Sequence, residues 1–201
     1  MTYGPHTVPF LLARRTIDFK MSEELEVLKE VAQKLNKAQI AYVISGSIAA
    51  NYYTIPRMTR DIDVVIELKN ADIDRFIKLF RDDFFVDEDM VAQEVNKRGM
   101  FNLIHTQSVI KLDFILRKES PWQVSMFLRR QKITVDRVDI WWASLEDLII
   151  AKLWWAKESL SELQLNDVRN LVTSSSQIDR AYIDRWVRDL DLKNVYQKVL
   201  S

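Results

Sequence analysis

Apolar side chains recur along this chain with two different periods, and the switches between them divide it into elements. Between residues 22 and 37, Leu25, Leu28, Val31, Ala32 and Leu35 fall on one stripe at helical spacing, with Ser22 at the N-cap position. Ile40-Ala41-Tyr42-Val43-Ile44 is an apolar run of strand length that ends in Ser45-Gly46-Ser47. Residues 48–53 return to a helical pattern, stopped near Pro56. From Asp61 to Leu68 the period is two. Ile62, Val64, Ile66 and Leu68 share one face, which sends Asp61 and Asp63 to the other.

Residues 71–82 predict a second amphipathic helix, with Ile73, Phe76, Ile77 and Phe80 on its stripe. Residues 101–104 and 109–116 read as strands joined by a polar turn at Thr106-Gln107-Ser108. In the second of these, Ile110, Leu112, Phe114 and Leu116 face one way, while Lys111 and Asp113 face the other. Ser120-Pro121 opens a helix with Pro at its first position, and residues 138–141 form a strand. Ser144-Leu145-Glu146-Asp147 has capping-box spacing ahead of a helix to about residue 159. Helices, interrupted by the serines at 174–176, fill the remainder.

The pattern therefore predicts an α/β (α+β) domain over 21–142 and a helical C-terminal region over 143–201. Residues 1–20 read as a loosely attached N-terminal extension, with Met21 as an alternative start. Their run Pro9-Phe10-Leu11-Leu12-Ala13 is too short for a secretory core.

Composition narrows the function more than the fold. With 201 residues, 48% of them hydrophobic, the chain can bury a real core. Its 29 basic and 29 acidic side chains cancel, so no global field draws long nucleic acid or an anionic membrane. No apolar run approaches the roughly 20 residues a membrane span needs. The lack of cysteine excludes disulfides and thiolate metal sites and fits a cytoplasmic setting.

The chemistry concentrates in two places. A Gly after a strand lets backbone amides at the next helix N-terminus face an anion, and Ser47 adds a hydroxyl to that cradle. Two Asp separated by one strand residue place both carboxylates on one face, where they can hold Mg²⁺ together with substrate phosphates. Two such ions about 4 Å apart can clamp both oxygens of a phosphoryl transfer. Asp113 has the same strand polarity on an otherwise apolar strand, which has no structural need for a carboxylate. Taken singly, a Gly-Ser is mostly a turn, and an Asp-x-Asp is mostly a solvated strand face.

In combination, Gly46-Ser47, Arg57-x-Thr59-x-Asp61-Ile62-Asp63 and Lys111-Leu112-Asp113-Phe114 resemble the polymerase-β-like nucleotidyltransferase superfamily. The likeness is greatest to the small AbiEii-type and minimal nucleotidyltransferases of toxin–antitoxin pairs. Ser144 to Leu153, with Asn166-Asp167-Val168 downstream, is similar to that group's C-terminal helical signature, so the resemblance spans about 25–195. It implies a mixed sheet with helices on one side, completed by the helical C-terminal part. It implies that Asp61, Asp63 and Asp113 hold Mg²⁺ (or Mn²⁺), with Asp113 helping to deprotonate an acceptor hydroxyl. Gly46 and Ser47 would hold the β and γ phosphates of an NTP, and Lys152 would be a cation aimed at the triphosphate. The chain departs from the pattern where Thr54-Ile55-Pro56 replaces a glycine before the Arg-x-Thr-x-Asp stretch, and it has only three glycines in all.

Several residues carry alternatives. Lys152 sits on or beside the buried face of its helix, where its stem can pack while the ammonium reaches water. Asp167 can pair with it or serve a helix surface. Arg57 and Thr59 can orient the Asp pair, touch nucleotide, or only shape the start of the strand. By alternation Arg60 points away from both Asp. His105 reads as an ordinary partly buried histidine. Half of each pair Trp141-Trp142 and Trp154-Trp155 should be core.

The leading expectation is a metal-dependent transfer of NMP from an NTP to a hydroxyl on a protein, an RNA end or a small molecule. Balanced charge disfavours long RNA, and a cognate toxin or antitoxin protein would be the partner. The alternative is a catalytically weak nucleotide- or partner-binding module, against which three converging like charges argue. A glycosyltransferase metal motif is a third reading, disfavoured by Gly46-Ser47 and the chain's length.

Overall fold

The computed structural model describes residues 23–59, 61–159 and 161–200. The proposed extension, the Ser22 cap and the direction of Arg60 lie outside the described residues. Helix α1 (Glu23–Lys37) turns the predicted stripe inward, burying Leu25, Leu28, Val31 and Leu35. Acidic residues in its first turn and Lys34 and Lys37 in its last complement the helix dipole. Strand β1 (Tyr42–Ser45) is buried at every position, as expected of a central strand. Helix α2 (Gly46–Tyr53) begins on the very next residue, without the intervening loop the sequence suggested.

Strand β2 (Asp61–Ile66) leads through a 3-10 turn (Asn70–Asp72) into α3 (Ile73–Phe80). Strand β3 (Phe84–Phe85), α4 (Glu88–Lys97), β4 (Met100–His105) and β5 (Lys111–Leu116) follow. Next come α5 (Pro121–Arg129), β6 (Gln131–Val135) and β7 (Val138–Trp142). Ser120 caps α5 by accepting a bond from the Gln123 amide.

Seven strands form one mixed sheet in the order β3-β4-β5-β2-β1-β7-β6. The central pairs alternate in sense: β5 and β2 are parallel, β2 and β1 antiparallel, β1 and β7 parallel. One face of the sheet carries Phe101 and Phe114, which pack against Phe76 and Phe80 of α3 with ring centroids 5.2–5.7 Å apart. The opposite face carries Asp63 and Asp113.

The C-terminal helices are α6 (Leu145–Ser159), α7 (Glu162–Thr173), α8 (Arg180–Asp189) and α9 (Lys193–Leu200). Helix α6 packs on α2, α7 and α8 through Leu148, Ile149, Leu153 and Ala156. At its start the Ser144 hydroxyl accepts from the Asp147 amide and donates to the Asp147 carboxylate, a modified form of the expected cap. No described helix is long and apolar enough to cross a membrane.

Expectation and structure part in further places. The α4 helix, β3 and β6 had no clear pattern: α4 buries only Val91 and Val95, β3 is two residues long, and β6 is an exposed edge. Trp142 is core beside a half-buried Trp141, as expected, but Trp154 and Trp155 are both exposed, at 44% and 56%. Leu148, Ile149, Leu153 and Ala156 already fill the buried stripe of α6, so both indoles fall outside it.

Candidate active site

Strand register assembles the carboxylates. Asp63 pairs with Asp113 across the parallel β2–β5 ladder, and Ser45 and Asn102 extend the same row on either side. Neighbouring strands lie about 4.8 Å apart, so two carboxylates on one face of this row repel each other. Burial pushes the Asp63 carboxyl up to about 6, and the negative charges of Asp113 and Asp61 add to that, against the pull of Lys152 and Lys111. Oδ1 of Asp113 is buried without a hydrogen-bond partner, while its Oδ2 lies 2.9 Å from Lys111 Nζ.

Gly46 is dictated by Asp63. Its φ is +63°, and a Cβ built there would lie 1.7 Å from Asp63 Oδ2. No other residue admits both the left-handed backbone and the carboxylate against it. The same glycine opens α2, so the helix starts directly against the Asp63 carboxylate with its first amides unpaired within the helix.

A chain of polar contacts joins this cradle to the C-terminal helices. Lys152, 3% exposed, donates to Asp167 Oδ2 at 2.7 Å and Gln164 Oε1 at 3.1 Å. Arg57 meets the same Asp167 through Nε at 3.2 Å and Nη2 at 3.1 Å. Arg57 Nη2 also donates to the Ser47 hydroxyl. Burial alone would raise the Asp167 carboxyl, but the bonds from Arg57 and Lys152 outweigh it and hold it below the usual carboxylate range. The Lys152 ammonium does not reach water, as a snorkelling stem would require; it is paired inside with Asp167 and Gln164.

Gly46, Ser47, Asp63, Asp113 and Lys152 line one cavity of about 230 Å³, together with Trp155 and Gln164. Three other candidates do not line it. Asp61 is exposed at the outer end of β2, opposite Lys111. Arg57 reaches Ser47 and Asp167 and makes no hydrogen bond to the Asp pair. Thr59 makes no hydrogen bond among the described residues. His105 lies elsewhere: its Nδ1 is 2.7 Å from Ser108 Oγ in the β4–β5 turn, the structural role expected of it.

Among the described residues, no group of three or more acidic or His side chains is gathered closely enough to hold a metal. The donor set nevertheless fits a hard cation. A paired carboxylate whose burial holds its proton up to about 6, beside an orphaned buried oxygen, is an electrostatic demand for positive charge.

Sequence reasoning overlooked Asn51. Its side chain brackets Arg57, donating to the Arg57 carbonyl at 2.8 Å and accepting from the Arg57 amide at 3.0 Å. An Asn within an otherwise apolar or aromatic helix, six residues before the arginine, was the available signal. Gln164 and Asn102 carry no such signal, since only the tertiary fold brings them to the row.

No family model and no curated protein matches the chain. Solved structures do. An antigenic nucleotidyltransferase-like protein from Paracoccidioides brasiliensis aligns over 86% of this chain and 92% of its own, at 20% identity and TM-score 0.54. The antibiotic-resistance factor ANT(2'')-Ia aligns in its solution structure over 92% and 95%, at 11% identity and TM-score 0.53. Its crystal complex with adenylyl-2''-tobramycin aligns over 87% and 99%, at 11% identity and TM-score 0.51. The mixed α/β fold of this chain is thus the fold of nucleotidyltransferases.

Proposed function

We propose that the chain transfers a nucleoside monophosphate from an NTP to a hydroxyl, in the cavity between the Asp63–Asp113 row and α6. The observation that carries this reading is the pairing of two recessed carboxylates, in register, against a glycine-opened helix N-terminus and a buried lysine. A fold shared with nucleotidyltransferases supports it. The finer placement, among small AbiEii-type enzymes with a cognate toxin or antitoxin partner, rests on the residue resemblance alone.

Each residue has a definite task. The Gly46 and Ser47 amides at the start of α2 bind phosphate oxygens. Ser47 Oγ accepts from Arg57, so its own O–H remains free to donate to them. Lys152 adds positive charge at the cavity wall, held in place by Asp167 and Gln164. The acceptor hydroxyl gives up its proton to the Asp113 carboxylate, which lines the cavity, as its oxygen bonds to the α-phosphorus. The bond from that phosphorus to pyrophosphate breaks in line. Asp63 and Asp113, with Asp61 from the rim, would hold Mg²⁺ (or Mn²⁺), which when bound neutralises and orients the phosphates. In this scheme the 21–142 part brings the carboxylates and the 143–201 part brings Lys152.

The Lys111–Asp113 ion pair favours one second reading, a weakly active nucleotide-binding module in which a lysine stands where a cation would. Incubation with each α-labelled NTP, Mg²⁺ and a mixture of lysate protein, RNA and small metabolites separates the two. Label in an acceptor fraction, with pyrophosphate released and both lost in Asp113→Asn, supports transfer. Nucleotide binding with no pyrophosphate released from any NTP supports the module.

A further inference from the structure

Beside the carboxylate cavity lies a second, of about 250 Å³, that shares Met100, Ile115 and Trp155 with it as a common wall. Its distinctive lining is aromatic and basic: Trp122, Trp154 and Met126, with Arg98 and Lys118. Trp122 and Trp154 stack with centroids 6.5 Å apart and planes inclined by 27°. No Asp or Glu lines it. The Lys118 side chain makes no ion pair or hydrogen bond among the described residues, whereas Arg98 is spent on the Arg117 carbonyl and on Glu119. Trp122 is only 5% exposed, yet its indole N–H has no acceptor. A buried donor left unpaired is unfavourable, and an oxygen acceptor brought against it removes that cost.

We infer that this second cavity is the acceptor subsite, and that it takes a small aromatic compound bearing a hydroxyl and, at its other end, an anionic group such as a carboxylate. The inference rests on reading the Asp63–Asp113 cavity as the transfer site, since the shared wall is what carries the hydroxyl to Asp113. Flat indole and thioether surfaces favour an aromatic ring. The free Lys118 ammonium and the unpaired Trp122 N–H favour oxygen acceptors with negative charge. The volume falls below the roughly 300 Å³ at which drug-sized pockets begin, which favours a compact molecule over a long polymer. A polyamine would meet two cations and no carboxylate here.

Three isosteric probes test this without nucleotide or metal: 4-hydroxyphenylacetate, its neutral amide, and tyramine. Binding to the full chain is read from ligand-observed NMR and tryptophan fluorescence. The anion should bind at least about tenfold more tightly than the cation, the value of one hydrogen bond to a charged group. Lys118→Gln, at an exposed position, should shrink that preference several-fold, and Trp122→Phe should weaken the anion and the amide together. Tyramine binding as well as the anion, no binding by any probe, or a preference indifferent to Lys118→Gln overturns the assignment. Because the probes are read without NTP, a missing transfer activity would count against the nucleotidyl reading and leave this result standing.

Discussion

Single residues carry most of the strain in this site. The folded chain keeps a proton on Asp63 up to about 6, whereas an unstrained carboxyl releases it near 3.8. Between those values the folded state binds more protons than the unfolded one, so stability falls as pH rises through the window. The loss is up to about 3 kcal/mol for a shift of some two pH units. Urea midpoints in chelator at about pH 4 and about pH 7 should show this decline in the wild type and not in Asp63→Asn. An identical decline in both proteins would mean that Asp63 is not the group responsible. Gly46→Ala is expected to lose roughly 1–3 kcal/mol, because an alanine there combines a left-handed backbone with a clash on the Asp63 carboxylate. A thermal midpoint within error of the wild type would show that the carboxylate swings aside freely.

At the level of elements, the decisive contact is the ion pair that ties α7 to α6 and to the loop after α2. Asp167 neutralises two cations, Lys152 and Arg57, with little exposure to water. Asp167→Asn should therefore destabilise by about 3 kcal/mol, since it leaves a buried ammonium with Gln164 as its remaining partner. Adding Lys152→Met should recover at least about 1 kcal/mol of that, measured as the coupling in a double-mutant cycle. Strict additivity would contradict the pairing.

The elements also show what the sequence could and could not convey. Alternation predicted that Asp61 and Asp63 share a face of β2, and Lys111 and Asp113 a face of β5, because strand period is a local property. Register is not local. Only the parallel β2–β5 pairing reveals that Asp63, and not Asp61, stands opposite Asp113 and lines the cavity. Lys152 was correctly placed near the buried face by helical spacing, but its partner Asp167 was one of two readings. Asn51 went unnoticed because its task is to hold the backbone of a loop, which leaves no periodic trace. Helix α4 and strand β6 were silent for the opposite reason, burying too little to imprint a pattern.

On the scale of the whole molecule, zero net charge and a fold shared with nucleotidyltransferases fit a site whose field is local. The carboxylates of the Asp63–Asp113 row, Lys152 and the Gly46–Ser47 start of α2 all line one cavity. The most direct test of this account is calorimetric titration of each NTP, with Mg²⁺ or Mn²⁺, into the wild type, Asp63→Asn and Asp113→Asn. The account predicts cation-dependent binding of at least one NTP to the wild type, lost or weakened at least about tenfold in either variant. Binding of no NTP, or binding indifferent both to the cation and to the loss of either carboxylate, would contradict it.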